Sequence, residues 1–242
     1  MQVRLLDSDP LTHTTPLLAV PVFEGTSGAG ALLSRLDEVT GGGVSRALAT
    51  TDMQGRPKDE ILLYGSGTGP QRVSLIGAGK SDELDPEGVR RLAGRAVRAA
   101  ERLGLESVSL WLGGAGAVEP SVLGQAAAEG ACLAAWRFTE LKGAPREGDP
   151  PVAVTSVDLL ADTRLESLRA GAEAGQAVAA GENLARTLQS RPGNLATPSH
   201  LASEAERLAG ESGLEVTIFD EVRLAEEGMH AILAVSRGSE EE

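Results

Sequence analysis

One stretch narrows the possible architectures more than any other. After Pro86, the residues Val89, Leu92, Ala93, Ala96, Val97, Ala100 and Leu103 recur at the three- and four-residue spacing of one helical face. Arg90, Arg91, Arg95, Arg98 and Arg102 take the opposite face and read as a solvated surface; a phosphate-binding stripe is the minor alternative. Gly104 ends the helix in the C-cap role. A helix with one apolar stripe must bury it against another layer. Short apolar runs around it supply that layer. "LLAVPVF" at 17–23 reads as a buried strand, "EILLYG" and "RVSLIGAG" as two strands joined by the turn-rich "SGTGPQ", and "ESVSLWLGG" as a further strand. A second helix is expected over 121–142, a loop over "KGAPREGDPP" and a last strand in "VAVTSVDLL". Strands and helices alternating at these lengths imply a layered α/β fold, a mixed sheet covered by helices.

The core of such a fold must here be built almost without rings. Aromatic residues make up 2% of the 242, against 41% hydrophobic residues overall, so Ala, Leu and Val carry the packing, and 30 glycines allow close contact between elements. The formal net charge of −13 opposes a phosphate backbone, and no nucleic-acid partner is expected. Cys132 is the single cysteine; it excludes an intrachain disulfide and reads as a small core residue, fitting a reducing, cytoplasmic setting. "MQVRLLDSDPLTH" is too charged and broken for a signal peptide, and no run of 18 apolar residues suggests a membrane span.

Beyond residue 162 the pattern changes. A long Ala/Gly-rich helix over 163–189 reads as a connector between domains. Thr197 and Pro198 then open another helix, with Leu201, Ala202, Ala205, Leu208 and Ala209 as its expected buried face. "LEVTIFD" reads as a strand, Asp220 as the cap of a short helix ending near Gly228, and "GMHAILAVSRGS" as a buried run entering a turn. These are the beginnings of a second α/β unit without the strands to complete it, so 214–239 is expected to be mobile or to aggregate.

Several motifs invite a chemical reading. "SLIGAGKSDEL" carries Gly79-Lys80-Ser81 after a strand, but Ser74 stands where a phosphate-binding loop needs its first glycine, and carboxylates follow; a tight strand-to-loop turn is the better reading. "GTSGAG" at 25–30 lacks dinucleotide spacing and reads as a βα turn. His13, His200 and His230 are isolated from one another in sequence, with no His pair or Cys pair at metal-ligand spacing. His200 falls in a helical first turn at the surface, and His230 reads as a packing residue. The pairs Asp59-Glu60 and Glu226-Glu227 and the run Glu240, Glu241, Glu242 read as solvated faces or tail. No Gly-x-Ser-x-Gly elbow supports a Ser-His-Asp site.

The segment "ENLARTLQSRPGNLATPSHLASEAERLAGESGLEVTIFDEVRLAEEGMHAILAVSRGSEE" carries Ala185-Arg186, Pro192, Asn194, Thr197-Pro198, Asp220-Glu221, Gly228-Met229 and Gly238-Ser239 in order. It resembles the opening of the catalytic domain of the leucyl aminopeptidase (cytosol aminopeptidase) family. Upstream, "RVSLIGAGK" and "AAAEGACLAAWRFTELK" are similar to that family's N-terminal domain. Ser190 stands where the family usually has Asn, and His230 where it usually has Gly. The resemblance implies a macro-like α/β domain over 1–162, the connecting helix over 163–189, and the truncated start of the catalytic domain over 190–242. It also implies release of N-terminal residues, leucine preferred, from peptide substrates, a homo-hexamer, and two divalent metals, manganese or zinc, that polarise the carbonyl and activate a water. The family's ligands, a Lys, three Asp and a Glu, come from motifs that do not occur in these residues. No catalytic, metal-binding or substrate-binding residue is therefore assigned, and the 242 residues are expected to be inactive alone. The alternatives are a non-catalytic binding or assembly module built on the macro-like domain and, against the charge, a DNA-binding regulator.

Overall fold

Burial on both faces shapes the central strands. In β2 (Leu18–Phe23) and the residue before it, Leu17 and Ala19 enter one core while Leu18, Val20 and Val22 enter the other. Such strands read as continuous apolar runs. The computed structural model, which describes residues 1–26, 30–65, 69–115, 117–143 and 153–239, places β2 within a six-stranded sheet. The other strands are β1 (Gln2–Asp7), β3 (Glu60–Tyr64), β4 (Arg72–Gly79), β5 (Ser107–Trp111) and β6 (Ser156–Ala161). Their order is β1-β6-β5-β2-β4-β3, with every neighbouring pair parallel except β3 and β4. The fold is therefore the expected mixed-sheet α/β fold. Positions 27–29 of the glycine turn, 66–68 of the hairpin loop, 144–151 of the later loop and the terminal Glu240, Glu241 and Glu242 lie outside the described residues.

Helices cover both faces. α1 (Ala31–Val39) and α2 (Gly43–Leu48) supply Leu33, Leu36, Val44 and Ala47 to one core. α3 (Pro86–Arg102), α4 (Pro120–Ala135) and the first part of α5 (Leu165–Ser190) form the other, rich in alanine. Small residues let these helices approach backbone to backbone. A methyl group on Gly171 of α5 would overlap the Ser121 carbonyl oxygen of α4. This is how a core nearly free of rings is filled. The helix expected as a connector is thus, at Leu168, Ala172 and Ala179, a packed member of the first unit, Met1–Asn183.

Three details depart from the sequence reading. β1 is a strand that the charged, interrupted N-terminus hid; Val3 and Leu5 point into the core, and its pairing partner lies more than 150 residues away. α2 was not anticipated in its glycine-rich surroundings. α4 stops at Ala135 rather than at 142, because Trp136 turns extended (φ −64°, ψ 135°) and Arg137 satisfies the Ala134 and Trp136 carbonyls at 2.7 and 2.8 Å. The two sheet edges also differ. At β1, Gln176 Oε1 of α5 accepts the Val3 N–H at 3.1 Å, whereas among the described residues β3 pairs with β4 alone.

The second unit, Leu184–Glu242, holds α6 (Pro198–Ser212), α7 (Glu221–Glu226) and α8 (His230–Ser236) besides the end of α5. The caps are as expected: Thr197 Oγ1 accepts the His200 N–H at 3.2 Å, and Asp220 Oδ1 accepts the Arg223 N–H at 2.8 Å. The burial is not. Of the expected α6 face only Ala209 is buried, and Leu201 is exposed. Residues 214–220 form no strand, because a strand exists only as part of a ladder and no described residue offers one. The run at 228–239 contains the exposed helix α8 instead of a buried segment, with Val235 88% exposed. No helix among the described residues is long and apolar enough to cross a membrane.

Candidate functional site

The Gly-Lys-Ser segment closes a strand and leads to a capped helix. Gly79, with φ 78°, ends β4, and Lys80 Nζ lies 2.6 Å from Glu83 Oε1. Asp85 Oδ1 takes the Gly88 N–H at 2.7 Å at the start of α3, and Glu87 follows in its first turn. Two donors that could hold a phosphate, the Lys80 ammonium and the Gly88 N–H, are thus met by the protein's own carboxylates.

The arginine face of α3 is only partly solvated. Arg91 is exposed and pairs with Glu87, and Arg102 with Glu60. Arg95 instead turns inward, its side chain 17% exposed, and donates to the carbonyls of Pro57, Asp59 and Gly77. Burial pushes its guanidinium pKa down. Asp59, expected on a solvated face, is buried and accepts the N–H groups of Gln54 (2.9 Å) and Arg56 (3.1 Å) and the Arg56 guanidinium. Burial alone would raise its pKa, but the Arg56 and backbone bonds outweigh it and hold the carboxyl below its ordinary range. Gly77 is required here, since a side chain would overlap the Arg56 carbonyl. These residues lock the 53–59 loop over β4. They are structural, and sequence alone gave them no signal beyond an acidic pair and a helical arginine.

The sheet has a topological switch between β2 and β5, which are adjacent and parallel but lead to α1 and α4 on opposite faces. Ligands of open α/β sheets sit at such points. Here Phe23, Leu84, Leu110, Leu112, Ala115 and Leu123 line a cavity of about 10 Å³, close to the space of one water.

A polar cluster occupies the sheet face near β1. Asp158 on β6 accepts Arg4 Nε at 2.7 Å and lies 3.0 Å from His13 Nε2. Ser109, beside Asp158 in register, is buried with its Oγ unpartnered. Serine, histidine and aspartate meet here, yet Ser109 makes no bond to His13, so no nucleophile–base contact exists. The cluster fastens the segment before β2 to the sheet. Elsewhere His200 meets Arg191, His230 is exposed, and Glu226 and Glu227 pair with Arg223. Cys132 is partly buried, and burial raises its thiol pKa. No three His, Cys, Asp or Glu residues come together to hold a metal among the described residues.

Comparison with known proteins places this architecture. The family model described as "Cytosol aminopeptidase family, N-terminal domain" matches residues 19–145, and "Cytosol aminopeptidase family, catalytic domain" matches 183–242. A probable cytosol aminopeptidase of Geobacter sp. (strain M21) is 32% identical over all of the chain and 48% of its own length. One from Parasynechococcus marenigrum is 36% identical over 82% of the chain and 39% of its own length. A mutant of tomato leucine aminopeptidase shares the fold at TM-score 0.82 and 23% identity, covering 98% of the chain and 48% of that protein. The bottromycin maturation enzyme BotP, in complex with Mn, matches at TM-score 0.70 and 26% identity over 94% of the chain and 43% of its own. The chain spans about half the length of the curated relatives it matches.

Proposed function

This chain belongs to the cytosol aminopeptidase family, and from that membership we propose that it serves a leucyl aminopeptidase, releasing N-terminal residues, leucine preferred, from peptides in the cytoplasm. The observation that carries the reading is the ordered match of both family models, the N-terminal one over 19–145 and the catalytic one over 183–242. In this reading 1–162 is the macro-like domain, 163–189 the connecting helix and 190–242 the first part of the catalytic domain. The whole protein assembles as a homo-hexamer.

The reading includes two divalent metals, manganese or zinc, which would supply a Lewis acid and an activated water. The described residues do not fit that group, because no donor set converges among them. No step is routed through it. What these residues supply is a rigid sheet-and-helix body and the capped helices that open the catalytic segment. The 242 residues alone are therefore proposed to be inactive.

Leucine anilide hydrolysis with added Mn²⁺ or Zn²⁺, paired with calorimetry of the metal alone, tests this. No turnover and no stoichiometric heat are expected. Two tight sites per chain would overturn the inactive reading. Sequencing the coding DNA past the Glu242 codon tests the family activity. An open frame leading to the Lys, Asp and Glu ligands supports the peptidase, and an immediate stop favours the assembly-module alternative.

A further inference from the structure

The open edge of the sheet carries three features that belong together. First, β3 offers backbone groups that no described residue pairs. The Gly77 N–H to Asp59 carbonyl bond (2.9 Å) and the Gly65 N–H to Gln71 carbonyl bond (3.0 Å) bracket its ladder with β4. Antiparallel alternation then turns Ile61 and Leu63 toward β4 and leaves the N–H and C=O groups of Glu60, Leu62 and Tyr64 facing outward. Second, a groove of about 340 Å³ runs between β3 and the end of α3, lined by Glu60, Leu62, Ser74, Ala99, Arg102 and Leu103. Ser74 at its floor is 1% exposed, and its hydroxyl has no partner. Third, Tyr64, the only tyrosine, is 62% exposed at the end of the same strand.

We propose that the β3 edge is a two-fold interface with a second copy of this chain, the two β3 strands pairing antiparallel about Leu62. The strand is self-complementary in that register. Leu62 meets Leu62 of the second copy, and Glu60 meets its Tyr64, so every outward backbone group finds a partner. No like charges are set opposite each other, since each Glu60 faces a phenol. Glu60, Leu62 and Tyr64 share one face by strand alternation. Each Tyr64 is therefore laid over the other copy's groove, its hydroxyl toward Glu60 and Ser74 and its ring beside Arg102. Edge pairing with a side chain seated in a flanking pocket is the general mode of strand addition. On the β1 edge, by contrast, Gln176 of α5 already takes one outward N–H, that of Val3. This inference does not depend on the peptidase reading, and either can fail without the other.

Cysteine trapping in the full chain tests it. At the two-fold, the Leu62 Cα atoms of the two copies would lie about 5.5 Å apart, within disulfide reach. In a Cys132→Ala background, Leu62→Cys should cross-link under mild oxidation at least about tenfold faster than Val178→Cys, an exposed position on α5. The amides of Glu60, Leu62 and Tyr64 should exchange more slowly as protein concentration rises, while those of Ile61 and Leu63 stay unchanged. Adding Tyr64→Asp, an exposed change that leaves the fold intact by circular dichroism, should return cross-linking to the control rate. Equal rates at 62 and 178, including faster but equal rates from association through the second unit, overturn the proposal. So does protection of the three amides at every concentration, which would mean that another segment of the same chain covers the edge.

Discussion

α3 and α6 begin in the same way and end up in different surroundings. Each has a proline at its first position and a side-chain cap, Asp85 in one and Thr197 in the other, and each ends near a glycine with positive φ. Yet α3 buries eight residues and α6 only Ala209. Start signals are local and sufficient for a helix to begin. Burial is not local, because it needs a second layer. The first unit has a sheet with helices on both faces; among its described residues the second unit has no sheet, and Leu214, Val216, Ile218, Val222, Ile232 and Val235 remain exposed. Large-to-small and glycine substitutions should therefore behave oppositely in the two units.

The largest contrast is expected from truncating leucines. Leu159→Ala, at a fully buried position in β6, should destabilise the first unit by about 2–5 kcal/mol in urea unfolding. Leu214→Ala, 66% exposed, should leave the denaturation midpoint within about 0.5 kcal/mol. A comparable loss at Leu214 would show that the second unit has a core of its own. Next come the glycines. Gly171→Ala should cost about 3 kcal/mol, since the backbone of α4 has nowhere to move. Gly210→Ala in α6, with nothing within 4 Å, should stabilise its helix by about 0.5–1 kcal/mol, read as increased helicity.

A smaller effect is expected from charge. Asp59→Asn should lose about 1–2 kcal/mol by weakening the bonds from Gln54 and Arg56. The Asp59 pKa is depressed on folding, so its contribution is present above the ordinary aspartate value of 3.8 and is lost as pH falls through the lower folded-state value. Acid titration of stability should show this step in the parent and not in Asp59→Asn. In the second unit the bond and charge of Arg207 lower the Glu204 pKa in the same direction, but that pair lies at the surface. Its pH dependence should fade in added salt while that of Asp59 persists. Amide exchange across 216–219 should be the fastest of any apolar run in the chain. Strong protection there would undo the comparison between the units.

The sequence exposed what repeats and hid what meets only in space. The stripe from Val89 to Leu103, the doubly buried run of β2 and the caps at Thr197 and Asp220 were legible because each is written within a few residues. β1 was not, because Val3, Arg4 and Leu5 alternate too briefly before Leu6 and Asp7 end the pattern, and its partner lies far along the chain. Arg95 looked like its four arginine neighbours, and only the loop at 55–59 makes it a clamp. The meeting of Arg4, His13, Ser109 and Asp158 joins three distant segments and left no motif to find. The 214–220 run has the composition of a strand, but composition cannot provide a ladder. For the chemistry, the resemblance carried by 182–241 pointed to a family, while the described residues converge on no donor set.

The pairing of β1 with β6 also bears on how the molecule is made. Val3 waits for Val157, and its outer N–H waits for Gln176. During synthesis at about 5–20 residues per second, β1 leaves the ribosome roughly eight to thirty seconds before its neighbour exists. Until then β2, β4 and β5 can assemble as a smaller parallel sheet with β5 at its edge. β6 must later arrive on that edge, and β1 must join beyond it from the opposite end of the chain. β1 is therefore translated long before β6 yet is among the last strands of the sheet to be placed, and a ribosome paused before residue 156 should display it to chaperones and proteases.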